Sequence, residues 1–174
     1  MNNHDRNSDR DGERDHQREQ DVLKFDNLLL NLQDDSLDIV KNTISLLNTE
    51  FFMANESMKQ IIKPNRFVGV LLSHLRSEID ASLMVMASNC LLSLIDLFPE
   101  ISETIVDEKG LKTLEEKGKS FEYIDVAENS VKLLEKIAEN WPTEVWLSES
   151  PISFLNMIDF FDTSVQVIIL DVIK

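Results

Sequence analysis

One cysteine, four glycines and four prolines in 174 residues set the first limits on this chain. Cys90 has no partner within the sequence, so no internal disulfide can form. So few glycines and prolines leave little material for the turns of a β-rich fold and favour long helices. The four glycines are isolated, which excludes a glycine-rich phosphate loop. Histidine is equally scarce: His4, His16 and His74 stand apart from one another and from Cys90, with no metal-ligand spacing. No metal and no cofactor are therefore expected. No apolar run approaches the ~20 residues of a membrane span, and the N-terminus lacks the apolar core of a signal peptide. These features predict a cytoplasmic or nuclear chain.

Positive charge is also in deficit. Lys and Arg number 17 against 32 Asp and Glu, giving a formal net charge of −15. Affinity for nucleic acid rests largely on basic contacts to phosphate, and anionic membranes select basic surfaces in the same way. Neither is an expected partner; basic or neutral protein surfaces are. Residues 2–21 lack apolar side chains altogether, with four Arg against seven Asp and Glu. Such a segment buries nothing to offset the entropy of ordering, so residues 1–21 are expected to be a disordered polar segment.

What the sequence has in quantity is helical periodicity, and it repeats. Asp35, Asp80, Asp125 and Asp162 each precede an apolar stripe at i, i+3, i+4, i+7 spacing. The stripes are Val40-Ile44-Leu47-Phe51, Met84-Ala87-Leu91-Leu94-Phe98, Ala127-Val131-Leu134-Ala138-Trp141, and Val165-Ile169. The aspartates read as N-caps. Phe98-Pro99 and Trp141-Pro142 read as exits, since proline cannot continue a helix. Shorter apolar segments at residues 22–32, 65–75, 109–118 and 151–161 precede the long ones. ISETIVDEK and TEVWLSES supply a third, shorter piece, and Gly110 suits the corner between short and medium helices.

A period of ~40–47 residues with three helices per unit is the armadillo pattern. The predicted fold is all-α: a right-handed α-solenoid of about three and a half armadillo-like repeats over residues 22–174. Because the chain ends within an apolar helix, it is expected to be a truncated fragment of a longer solenoid. Residues 151–174 are then expected to present an apolar patch capable of self-association.

No catalytic arrangement emerges. Cys90 lies beside the Met84/Ala87/Leu91 stripe and reads as a small buried hydrophobe. His74 ends a medium helix, and paired carboxylates such as Asp34-Asp35 read as caps or solvated positions. The chain reads as a binding scaffold. In such solenoids the long helices line the groove, so their polar, non-core positions are the candidates: Asn89 and Ser93 in the second unit, Lys132 and Lys136 with Asn129 in the third.

The run YIDVAENSVKLLEKIAENWPTEV, followed by FLNMIDFFDTSVQ, resembles the armadillo region of the ubiquitin-fusion-degradation class of HECT-type E3 ubiquitin ligases, which includes the thyroid-receptor-interactor type. The matching positions are Ile124 to Glu128, Ser130 to Glu135 and Ile158 to Gln166, and DASLMVMASNCLLSLIDLFPE matches less closely. The resemblance implies a large parent ligase whose HECT domain lies downstream. It also implies a repeat region that recruits protein substrates, including ubiquitin-fused proteins, for proteasomal degradation. The chain departs from the family at Glu149-Ser150-Pro151, where a pair of glycines is usual, and at Asn89, where an arginine is usual. The alternative is a stand-alone armadillo adaptor for transport or cytoskeletal complexes. Peptide-carrying adaptors use a Trp/Asn ladder, and Asn89, Lys132 and Ile168 hold no tryptophan in those slots.

Overall fold

The computed structural model describes the backbone of residues 5–120 and 122–173, and the side chains of residues 16–120 and 122–173. Among the described residues the chain forms helices and no strand. They are α1 (Asp5–Asn31), α2 (Leu37–Met53), α3 (Glu56–Lys59), α4 (Asn65–Arg76), α5 (Ala81–Leu97), α6 (Ile101–Asp107), α7 (Gly110–Gly118), α8 (Ile124–Ala138), α9 (Pro142–Leu147), α10 (Ser150–Leu155) and α11 (Thr163–Ile173). A single 3-10 turn, Ile158–Phe160, separates the last two, so the expected medium helix at 151–161 is divided.

The predicted stripes form the core, except that Ala138 and Trp141 of the third are only half-buried against it. Val40, Ile44, Leu47 and Phe51 are buried on α2, and Met84, Ala87, Leu91 and Leu94 on α5. Val126, Ala127, Val131, Leu134 and Ile137 are buried on α8, and Val165 and Ile169 on α11. Equivalent positions recur with a steady offset: Leu47, Leu91 and Leu134 lie 44 and 43 residues apart. Each unit therefore adds one long helix to a growing stack. The long helices pack α2 on α5, α5 on α8 and α8 on α11. A second layer of α1, α4, α7 and α10 backs them, each against the long helix of its own unit. This is a helical solenoid.

The polar segment at the start is continuous with this layer. Residues 1–4 lie outside the described residues; from Asp5 the backbone is helical and runs into α1. The apolar face of α1 begins only at Phe25, with Leu28, Leu29 and Leu32 following at helical spacing. Phe25 and Phe51 both meet Phe67 edge-on, with ring centroids 6.5 and 6.1 Å apart. That aromatic trio ties α1 and α2 to α4.

Of the four expected aspartate caps, Asp80 behaves as predicted: its carboxylate accepts from the Leu83 N–H at 2.8 Å. Asp162 directly precedes α11, and its carbonyl accepts from Val165 and Gln166. The other two are displaced. Ser36 occupies the cap position of α2, while Asp34, two residues earlier, accepts from the Ser36 N–H at 2.8 Å. Tyr123 occupies the cap position of α8, because that helix starts before Asp125 and takes it into its first turn. There a carboxylate still favours the positive helix end without capping it.

The α6–α7 corner also differs from expectation. Lys109, not Gly110, takes the left-handed conformation, with φ 59°. Gly110 serves a different need. A Cβ there would lie 2.4 Å from Ile105 Cγ2 and 2.5 Å from the Ile105 carbonyl oxygen, so only glycine lets α7 begin against α6.

Apolar packing is non-directional and does not by itself fix how far one unit slides along the next. Polar bonds between neighbouring units do. Arg66 pairs with Asp26, and His74 Nε2 donates to the Leu32 carbonyl at 2.7 Å. Lys41 reaches Asp80 at 2.7 Å. Arg76 donates to Thr113 Oγ1 at 2.8 Å and to the Glu108 carbonyl at 2.6 Å. Lys117, only 7% exposed, reaches Glu78 at 3.1 Å. These bonds all cross from one unit to the next.

Candidate protein-binding face

The long helices lie parallel. Lys41 meets Asp80 at the N-terminal ends of α2 and α5, and Phe51 and Phe52 flank Ser93, Asp96 and Leu97 at their C-terminal ends. Asn129 meets Ser88 near the middle of α5, and Lys136 meets Asp96 a turn or two later. With the 44- and 43-residue offsets, one stripe on each helix falls in register: Ser45-Thr49-Phe52 on α2, Asn89-Ser93-Asp96 on α5, and Lys132-Lys136-Glu139 on α8. The spacing i, i+4, i+7 holds each stripe on one helix face. All nine side chains are exposed or half-buried.

The predicted residues divide on this face. Asn89, Ser93, Lys132 and Lys136 belong to it. Lys136 is ion-paired with Asp96 at 2.9 Å, and Lys132 lies 3.9 Å from Glu128. The Asp96 carboxylate holds the Lys136 ammonium above its ordinary pKa, outweighing the effect of desolvation. Ser93 donates to the Asn89 carbonyl at 3.1 Å. Asn129 sits elsewhere: it is 7% exposed, wedged between α5 and α8, and its amide donates to Ser88 Oγ and to Asn89 Oδ1, each at 2.9 Å. It holds the face together from behind. Ile168 is half-buried against the core, while Leu170, 38 residues after Lys132 as Ile169 is after Val131, is 48% exposed and continues the stripe onto α11.

Five residues of the face, Ser45, Thr49, Phe52, Asp96 and Glu139, were not among the sequence candidates, and two of them stand out. Phe52 is 88% exposed, and Asp96 lies beside it. The signal was present: Asn89 and Ser93 define a stripe whose next member is Asp96, and one repeat upstream that position is Phe52.

Among the described residues no group of His, Cys, Asp and Glu could hold a metal ion. Burial pushes the Cys90 thiol up to about 12, so it carries no thiolate for nucleophilic attack. A larger depression, about 410 Å³, lies on the opposite layer between Arg76 and Glu116; it contains no His, Cys or Ser. Glu135 titrates above its ordinary range because it is partly desolvated; Lys136 opposes this, while Glu139 and Asp171 reinforce it. Among the described residues no helix is long and apolar enough to cross a membrane.

Stacked helical units with a polar, exposed long-helix face define a helical repeat scaffold. Residues 1–145 match the family described as E3 ubiquitin-protein ligase TRIP12-like, TPR repeats. The chain is 30% identical over 145 residues to E3 ubiquitin-protein ligase UPL4 of Arabidopsis thaliana, a match covering 82% of this chain and 10% of that protein. It is 32% identical over 100 residues to E3 ubiquitin-protein ligase UPL3 of the same plant, covering 58% of this chain and 5% of the relative. The chain belongs to the TRIP12-like ligase family and corresponds to its N-terminal repeat region. It spans about a tenth or less of the length of the curated relatives it matches. The family description calls the repeats TPR; in this chain the offsets between the first three units are 44 and 43 residues and the complete inner units carry three helices, as α6, α7 and α8 do.

Proposed function

We propose that this chain is the substrate-recruiting scaffold of a HECT-type E3 ubiquitin ligase, holding proteins destined for ubiquitin-dependent degradation on the face of its long helices. The observation that carries the reading is the registered stripe Asn89-Ser93-Asp96 and Lys132-Lys136-Glu139. It is polar and accessible, and it is braced from behind by buried Asn129. A ligase-family repeat region with such a face and no catalytic arrangement on it is suited to holding a substrate while chemistry occurs elsewhere.

The partners of this reading are protein substrates, ubiquitin-fused proteins among them, and the remainder of the parent ligase, in the cytoplasm or nucleus. The exposed Ile152, Phe160, Val167 and Leu170 supply a second, apolar contact area for the parent chain or for another copy. Light scattering over a concentration series tests the latter: a mass that stays monomeric throughout removes self-association.

Titration of the chain with ubiquitin and with a ubiquitin-fused protein tests recruitment. Saturable binding to the fusion is expected, weakened at least about fivefold by the double change Lys132→Glu, Lys136→Glu. Absence of binding at high concentration would sink the recruitment role for this region.

A further inference from the structure

Phe52 is the most exposed large apolar side chain among the described residues. It stands at the C-terminal end of α2 and, with Phe51 and Leu97, walls a cleft of about 260 Å³ whose other lining residues are Ser93 and Asp96. An exposed phenylalanine on a polar surface is ordinary when isolated. This one is not isolated: it forms one side of a depression whose opposite side is a carboxylate.

The charges and dipoles around the cleft are predominantly negative, with Lys136 as the basic exception. Because α2, α5 and α8 are parallel, their C-terminal ends lie side by side, and each contributes the partial negative charge of its unpaired carbonyls. No basic residue occupies the last turn of α2 or α5. Acidic residues stand where helix dipoles disfavour them: Asp96 near the end of α5, and Glu135 and Glu139 at the end of α8. Lys136 is the basic residue in the last turn of α8, and its ammonium is engaged by Asp96.

We infer that this cleft is the docking point for a basic protein segment: an apolar side chain of the segment enters between Phe52 and Leu97, and a neighbouring Lys or Arg engages Asp96. Charge complementarity selects this occupant over a second copy, because another copy brings the same net −15 to an acidic rim. An Arg fits Asp96 better than a Lys, since its planar fork can bond the carboxylate while Lys136 still holds the other oxygen. The apolar contact anchors the segment, and the carboxylate sets its direction. This inference rests on the recruitment reading above and gives that face a class of ligand.

The experiment is fluorescence anisotropy with the whole chain and a short labelled peptide carrying one Phe flanked by Arg and Lys. Two control peptides replace the Phe by Ala, or the Arg and Lys by Gln. Saturable binding of the first peptide is expected. Each control peptide should bind at least about fivefold more weakly, as should the Phe52→Ser and Asp96→Asn variants, whose exposed positions leave the fold intact by circular dichroism. Raising salt from about 50 to about 500 mM should weaken binding further.

Equal binding by the Ala peptide, equal binding by Phe52→Ser, or no binding at about 1 mM peptide each overturns the inference. A dimer in sedimentation that Phe52→Ser dissolves also overturns it, because the cleft then holds a second copy. If a ubiquitin-fused protein binds while the basic peptide does not, the inference falls and recruitment stands; if neither binds, both fall.

Discussion

Asn129 on α8 donates its side-chain N–H to Ser88 Oγ on α5 at 2.9 Å, and both residues are buried. The residues are 41 apart in sequence, on the long helices of neighbouring units, and the bond lies inside the apolar stack. Because the same amide also reaches Asn89, it links the buried side of the stack to its exposed face. Asn129→Ala removes the donor and strands Ser88 Oγ, whose remaining bond goes to the Val85 carbonyl at 3.0 Å. The expected cost is about 1–3 kcal/mol. Urea unfolding should show it as a lower midpoint with an unchanged slope; a midpoint equal to the parent would remove the brace.

Asp80 makes stability depend on pH. Its carboxyl is held below the ordinary value of 3.8, first by the hydrogen bond from Lys41 and then by the Leu83 N–H at the start of α5. A depressed folded-state pKa contributes stability that is complete above the unfolded value and is lost as pH falls through the folded value. Melting temperature should therefore fall on acidification below about pH 4, more steeply for the parent than for Asp80→Asn. Lys41→Met should remove much of the difference, since it deletes the larger cause. Parallel curves for parent and Asp80→Asn would show that the cap does not titrate with folding.

The stack was legible in the sequence because burial on a helix leaves a periodic trace: Leu47, Leu91 and Leu134 announce themselves by their neighbours three and four residues away. Exits were legible too, since Pro99 and Pro142 cannot continue a helix. The caps at Asp35 and Asp125 were misplaced because each lies within two residues of a helix start, and local sequence does not decide which residue turns first. Asn129 was read as a surface residue because polar side chains usually are. Its burial depends on Ser88 and Asn89 of the previous unit, a match no local pattern contains. Phe52 follows core residue Phe51 and shows nothing in isolation; only the repeat offset aligns it with Asp96 on the open face.

Gly118 tests the packing of the last two units. A Cβ at this position would lie 2.0 Å from Phe154 Cε1 and 2.3 Å from Cζ, so α10 can approach α7 only over a glycine. Phe154 also packs edge-on against Phe161, with centroids 6.5 Å apart, which limits how far its ring can swing aside. Gly118→Ala should destabilise the chain by about 1–3 kcal/mol, despite the better helix propensity of alanine. Gly69→Ala is the control: its nearest neighbour would be the Glu108 carboxylate at 3.8 Å, an ordinary contact. Its mid-helix position predicts a gain of up to about 1 kcal/mol. Equal effects at the two sites would mean that Phe154 yields readily.

Asn48 on α2 lies one repeat before Leu92 on α5, 44 residues away. Its Oδ1 is buried without a hydrogen-bond partner, where its counterpart presents a leucine side chain packed against the core. A buried unpaired oxygen costs about 1–3 kcal/mol, so an apolar side chain of similar size should relieve the cost and add contact area. Asn48→Leu is therefore expected to raise the melting temperature by several degrees. The same variant should bind the basic peptide as the parent does, because Asn48 is not among the residues lining the Phe52 cleft. A lower melting temperature would mean that Oδ1 is satisfied by water in solution and that the asparagine stabilises the α2–α5 contact.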